Sequence, residues 1–154
     1  MVVDGAASLS ATGTGTITAT SLSVFGVPLN GVVATSETTT STTYTDLTTV
    51  GPAATVTVSS SGLKALVTIS AQLSNSNNNR LCLMAFDVTG ATTVAASDAQ
   101  AILYTTSGGG TAAQMSATYL VTGLTAGSNT FTAKYRASAN TCTFTNRNII
   151  VTPY

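Results

Sequence analysis

The chain has 154 residues, of which only 6% are charged, five basic against five acidic, with no His, no Trp and two Cys. One domain's length with 44% hydrophobic residues argues for a single compact unit, and the balanced charge lacks the basic patch that a nucleic-acid partner requires. Without His, neither a Ser-His-Asp or Cys-His arrangement nor a His-bearing zinc site can be assembled.

Thr and Ser occupy 32 and 17 positions. Together with Val, Ile and Tyr, the Thr residues favour pleated strands, while Glu, Lys and Arg, which cover helix surfaces, are sparse; the fold class expected is all-β. A surface covered by hydroxyls and amides at zero net charge invites self-association. Met1 to Gly5 shows neither the basic n-region nor the apolar h-region of a secretory signal. The charge-free spans 5–36 and 99–133 are interrupted by Thr, Ser or Gly every few residues, so neither a transmembrane helix nor a membrane partner is expected.

Residues 1–50 differ from the rest. Thr stands at every even position from 12 to 20, which gives a strand with one hydroxyl-lined face; the other face holds only Ala11, Gly13, Gly15, Ile17 and Ala19. So few apolar atoms suit an arm or edge strand that docks elsewhere. Beyond Val24 and Phe25, Asn30-Gly31 is a hairpin turn signal. Residues 35–49 read as loop or exposed strand. Gly51-Pro52 punctuates the chain, and 51–154 is taken as the body of the domain.

From there the strand rhythm is regular. Thr55-Val56-Thr57-Val58 alternates into a Ser-Gly turn, and Leu63, Ala65, Val67, Ile69, Ala71 and Leu73 share one apolar face. After an Asn-rich turn at 75–79, residues 81–86 form a continuous apolar run, which predicts burial on both faces in a central strand or at a subunit interface. Further strands are expected over 101–104, 113–121, 131–136, 141–145 and 148–152, making about eight strands after residue 50. Turn signals every eight to twelve residues predict an antiparallel β-sandwich or jelly roll.

Few residues are candidates for chemistry. A glycosidase needs two carboxylates about 5 to 9 Å apart, and only Asp87 and Asp98 lie in the better-patterned half; both sit beside turns, where capping or ion pairing is the stronger expectation. Lys134 and Arg136 share a strand face and Arg147 lies near the last strand, either as ion-pair partners or as an anion site. The Gly run at 108–110 lacks the Lys-Ser/Thr of a phosphate cradle, and the Asn cluster lacks calcium-loop carboxylates. Tyr119 and Tyr135 suit a core or an interface, whereas Tyr44, Tyr104 and Tyr154 are freer to meet a sugar. Cys82 and Cys142 admit two readings, buried free thiols or a cross-strand disulfide. No cofactor, metal site or catalytic residue is expected.

The run from Val121 to Arg136, with Gly51-Pro52-Ala53, Gly62-Leu63-Lys64-Ala65, Phe86-Asp87-Val88-Thr89-Gly90 and Asn146-Arg147-Asn148-Ile149-Ile150, resembles the jelly-roll domains of tailed-bacteriophage virion proteins. Those domains are similar to the tumour-necrosis-factor and complement-head fold, in which three jelly rolls associate around a threefold axis. The resemblance spans about residues 50 to 154. It implies a non-enzymatic homotrimer on the virion surface, assembled in the host cytoplasm. Such a protein would be a capsid decoration protein contacting the major capsid protein, or a fibre module contacting a host surface glycan. On this expectation Leu66, Met84, Phe86 and Tyr119 make the trimer contacts. Leu9, Ile17, Leu22, Val24 and Phe25 attach an extended N-terminal arm to the shell or to another subunit by strand addition.

Overall fold

Strict alternation over Leu63–Asn75 (β4) turns Ala65, Val67, Ile69, Ala71 and Leu73 to one side, and all five are fully buried. Burying each of the larger side chains contributes about 1.5–3 kcal/mol. The same alternation in Ala53–Val58 (β3) buries Ala54, Val56 and Val58 and leaves Thr55 and Thr57 outside. The computed structural model describes residues 28–59 and 61–154. Leu9, Ile17, Leu22, Val24 and Phe25 therefore lie outside the described residues.

The remaining strands are Leu29–Val33 (β1), Glu37–Thr39 (β2), Leu81–Gly90 (β5), Ile102–Thr105 (β6), Ala112–Leu124 (β7), Gly127–Ala137 (β8) and Cys142–Pro153 (β9). A first sheet runs in the order β1-β9-β4-β7, with β2 also paired to β9; a second runs β3-β8-β5-β6. Every pairing is antiparallel. The inward faces of the two sheets meet in one core that contains Val67, Ile69, Phe86, Phe131, Tyr135, Phe144 and Ile149. The only helical piece among the described residues is a 3₁₀ turn at Asp98–Gln100. The all-β sandwich expected from composition is what forms.

Three expectations need correction. The sandwich begins at β1, not after Gly51-Pro52: β1 and β2 pair with β9, and Leu47 enters the core. Asn30-Gly31 makes no hairpin, because both residues sit within β1, opposite Ile150 and Ile149. There a Cβ on Gly31 would lie 2.3 Å from the carbonyl oxygen of Ala53, so the glycine serves the close crossing of β1 over β3. Residues 141–145 and 148–152 are one strand, β9, whose register against β4 shifts between Ser70 and Gln72, beside Asn146 with its φ of 51°.

Candidate functional site

The two outer faces of the sandwich differ in kind. Facing outward on the second sheet, Lys134 of β8 donates to Asp46 Oδ1 at 2.7 Å and lies 3.4 Å from Asp87 Oδ2 of β5. Two residues along β8, Arg136 Nε donates to Asp98 Oδ1 at 3.0 Å, and its Nη2 meets the other oxygen. Tyr44 donates its hydroxyl to the same Asp98 oxygen at 3.0 Å, and the Arg136 guanidinium lies 5.5 Å from the Tyr44 ring centre. Burial pushes the Asp87 carboxyl above the ordinary carboxylate range, against the pull of Lys134. Asp98 is held below that range, chiefly by its bond from Arg136. Asp87 and Asp98, the two acids considered for catalysis, are thus both ion-paired. An open cleft of about 450 Å³ lies here between Tyr44, Asp46, Asp87, Lys134 and the Ala95-Ala96 wall.

The outer face of the first sheet carries a different pattern. Along the β4–β7 pairing, Leu66 faces Leu120, Thr68 faces Thr118, Ser70 faces Ser116 and Gln72 faces Gln114. Like meets like in four successive outward pairs, none of them charged. The Thr68 and Thr118 hydroxyls bond each other at 2.8 Å. Leu66 and Leu120 remain 40% and 51% exposed, a paired apolar contact that the described residues leave open on its outer side.

Of the residues assigned to trimer contacts, Leu66 lies on this face. Met84 and Phe86 do not reach any outer surface: both point inward and are fully buried in the core, so that assignment is corrected. The apolar run 81–86 is buried on both faces, as its composition predicts, but its outer residues Leu83 and Ala85 are covered by Tyr44, Ala96 and Ala101 of the same chain. No neighbouring subunit is needed there. Tyr119 is half-buried on the inward side of β7, 6.2 Å from the Phe86 ring, and donates its hydroxyl to Ala101 O at 2.7 Å.

Cys82 and Cys142 are bonded to each other, joining β5 of one sheet to β9 of the other, which overturns the free-thiol reading. The Asn75 amide packs against both sulfurs and donates to Ala139 O at 3.1 Å. Arg147, expected near the last strand as an ion-pair partner or as part of an anion site, stands within β9 and pairs with Glu37. It lies wholly inside the sandwich, with its guanidinium 5.4 Å from the Tyr135 ring centre. Its Nη2 lies 3.2 Å from Glu37 Oε2 and donates at the same distance to Thr35 O, while Nε and Nη1 meet no partner among the described residues. Parity counted back from the buried Ile149 and Val151 places Arg147 inward, a signal available in the sequence. Among the described residues no group of three or more His, Cys, Asp or Glu could hold a metal, and no helix is long and apolar enough to cross a membrane.

No protein-family model matches the sequence, and no curated protein matches it. Among solved structures the chain is similar to the Eiger tumour necrosis factor of S. frugiperda, at a TM-score of 0.50 and 13% identity, over 85% of this chain and 94% of that one. At that identity the likeness concerns the fold: the chain is an all-β sandwich of the tumour-necrosis-factor-like jelly-roll type.

Proposed function

We propose that the chain is a non-enzymatic structural protein of a tailed-bacteriophage virion, a homotrimeric capsid decoration protein that docks on the shell, and so on the major capsid protein, through its N-terminal arm. The like-with-like ladder between β4 and β7 carries this reading. In a chain with so few charges, Asp46, Asp87, Asp98, Lys134 and Arg136 are gathered on the second sheet, while the ladder on the first stays uncharged. Covering the ladder with another copy desolvates none of its own residues' charges, Lys64 lying exposed at its end, and its hydroxyls and amides can exchange water for one another. The resemblance to phage jelly rolls supplies the virion setting. A disulfide suits a particle that persists outside the cell.

Carboxylates at the apolar pair separate this reading from a monomer. Leu66→Asp with Leu120→Asp is expected to convert a three-copy assembly into monomers by native mass spectrometry at micromolar concentration, because two unpaired carboxylates would have to be desolvated in the contact. A wild-type chain that runs as a monomer would sink the proposal. Removing residues 2–27 is expected to leave the trimer folded and to abolish co-sedimentation with virions; undiminished binding would show that attachment lies elsewhere. A second reading, a fibre module for a host surface glycan, draws on the cleft beside Tyr44. Saturable binding of a neutral saccharide, lost in Asp87→Asn, would favour it over decoration.

A further inference from the structure

The two sides of the sandwich are closed unequally. Where β1 crosses β3 the backbones are in contact, but at the opposite side the thirteen-residue β7 lies over the four-residue β6. The inward residues of β7 from Met115 to Tyr119 are consequently covered only in part, whereas Val121 and Leu124 are buried. Met115, Ala117 and Tyr119, with Tyr104 of β6, form a half-buried apolar row packed against the core. Among the described residues β7 pairs with β4 alone, and none of the described strands lies beside its other edge. It also carries no charge and no proline, the usual devices that keep such an edge from pairing.

We propose that residues 11–20 of a second copy add to this edge of β7 as a further strand, which rests on the reading of the N-terminal segment as a strand-adding arm. Both faces of that segment match what β7 presents. Its Thr12, Thr14, Thr16, Thr18 and Thr20 would prolong the outer ladder of Gln114, Ser116 and Thr118. Its opposite face, Ala11, Gly13, Gly15, Ile17 and Ala19, would close over the half-buried row, with small residues leaving room for the Tyr104 and Tyr119 rings. Neither partner brings a charge to the junction. Within one chain the segment enters at β1, the far edge of the same sheet, three strand spacings or about 14 Å from β7. To reach its own β7 it would have to be drawn across the outer ladder; a neighbour's β7 requires no such crossing. Leu22, Val24 and Phe25 then remain for the shell.

The full-length variant Thr14→Pro/Ile17→Pro tests this, since both positions precede the sandwich and proline cannot donate to a ladder. Hydrogen exchange over 112–124 is expected to quicken by about tenfold or more at the amides facing away from β4. A synthetic peptide of residues 8–22, added to that variant, is expected to restore protection saturably. Unchanged exchange in the variant overturns the proposal, and so does protection that the peptide cannot restore, which indicates pairing within one chain. If the variant loses virion attachment while β7 exchange stays the same, the arm binds the shell, and only the β7 target fails. If β7 protection is lost while attachment persists, arm-mediated decoration fails and the strand addition stands.

Discussion

Cys82→Ala/Cys142→Ala is expected to lose about 4 kcal/mol of folding stability and to melt on the order of 15 °C below the wild type. The two cysteines are 60 positions apart and tie β5 of the second sheet to β9 of the first. Everything from β6 through β8 lies in the closed loop, so the bond withholds from the unfolded chain the freedom of nearly half the sandwich. Both positions are fully buried, and Ala introduces no polar group, so the loss measures the missing constraint and two small cavities. Asn75 keeps its bond to Ala139 O in the variant. Thermal melts at fixed protein concentration, with and without reductant, check the result. Reductant should bring the wild type close to the double variant and leave the variant unmoved. A wild type that melts alike in both conditions would show that the bond contributes nothing.

Strand rhythm made the sandwich legible. Period-two alternation in β3 and β4 needs no tertiary context, because each strand meets the core on one face and water on the other. The errors share a cause. Residues 81–86 show burial on both faces, but nothing local says what provides the second cover, and Tyr44 and Ala96, which supply part of it with Ala101, come from segments with no strand periodicity. The run alone therefore points Met84 and Phe86 to a subunit contact, whereas the facing sheet already encloses them. Asn30-Gly31 carries a turn signature whose glycine answers a crossing with Ala53, a contact between residues over twenty positions apart. Counted forward from Cys142 and Phe144, Arg147 falls on the outer face, because the irregularity at Asn146 changes which alternate residues face inward midway along β9; only the count back from Ile149 and Val151 turns it inward. The like-with-like ladder depends on the register of β4 against β7, which neither strand reveals alone.

The buried charge of Arg147 leads to the second large effect. Glu37→Gln is expected to destabilise the sandwich by about 3 kcal/mol or more, because it leaves a guanidinium in the core opposed by no carboxylate. Arg147 has no exposure and Glu37 has 11%, so water cannot replace the lost charge without opening the β2 edge. The carboxylate also receives the Thr49 hydroxyl at 2.5 Å and the Thr49 amide at 3.1 Å, linking β2 to the chain ahead of β3. Adding Arg147→Met to Glu37→Gln removes the stranded charge, and the double variant should be more stable than Glu37→Gln alone, a coupling that unrelated positions would not show. The pH dependence follows from the same contact. Bonds from Thr49 and the nearby Arg147 hold the Glu37 carboxyl below its ordinary value, so the folded state binds its proton less readily than the unfolded chain. The stabilisation is complete above the unfolded value of about 4.3 and is lost as pH falls through the lower folded value. Asp98, held low by Arg136, adds a slope of the same sign, whereas Asp87, pushed up by burial, opposes it. Subtracting the Glu37→Gln melting profile from that of the wild type cancels both, and the difference should shrink steadily below about pH 4. A difference that stays constant into acid would mean that the Glu37 charge does not hold Arg147 in the core.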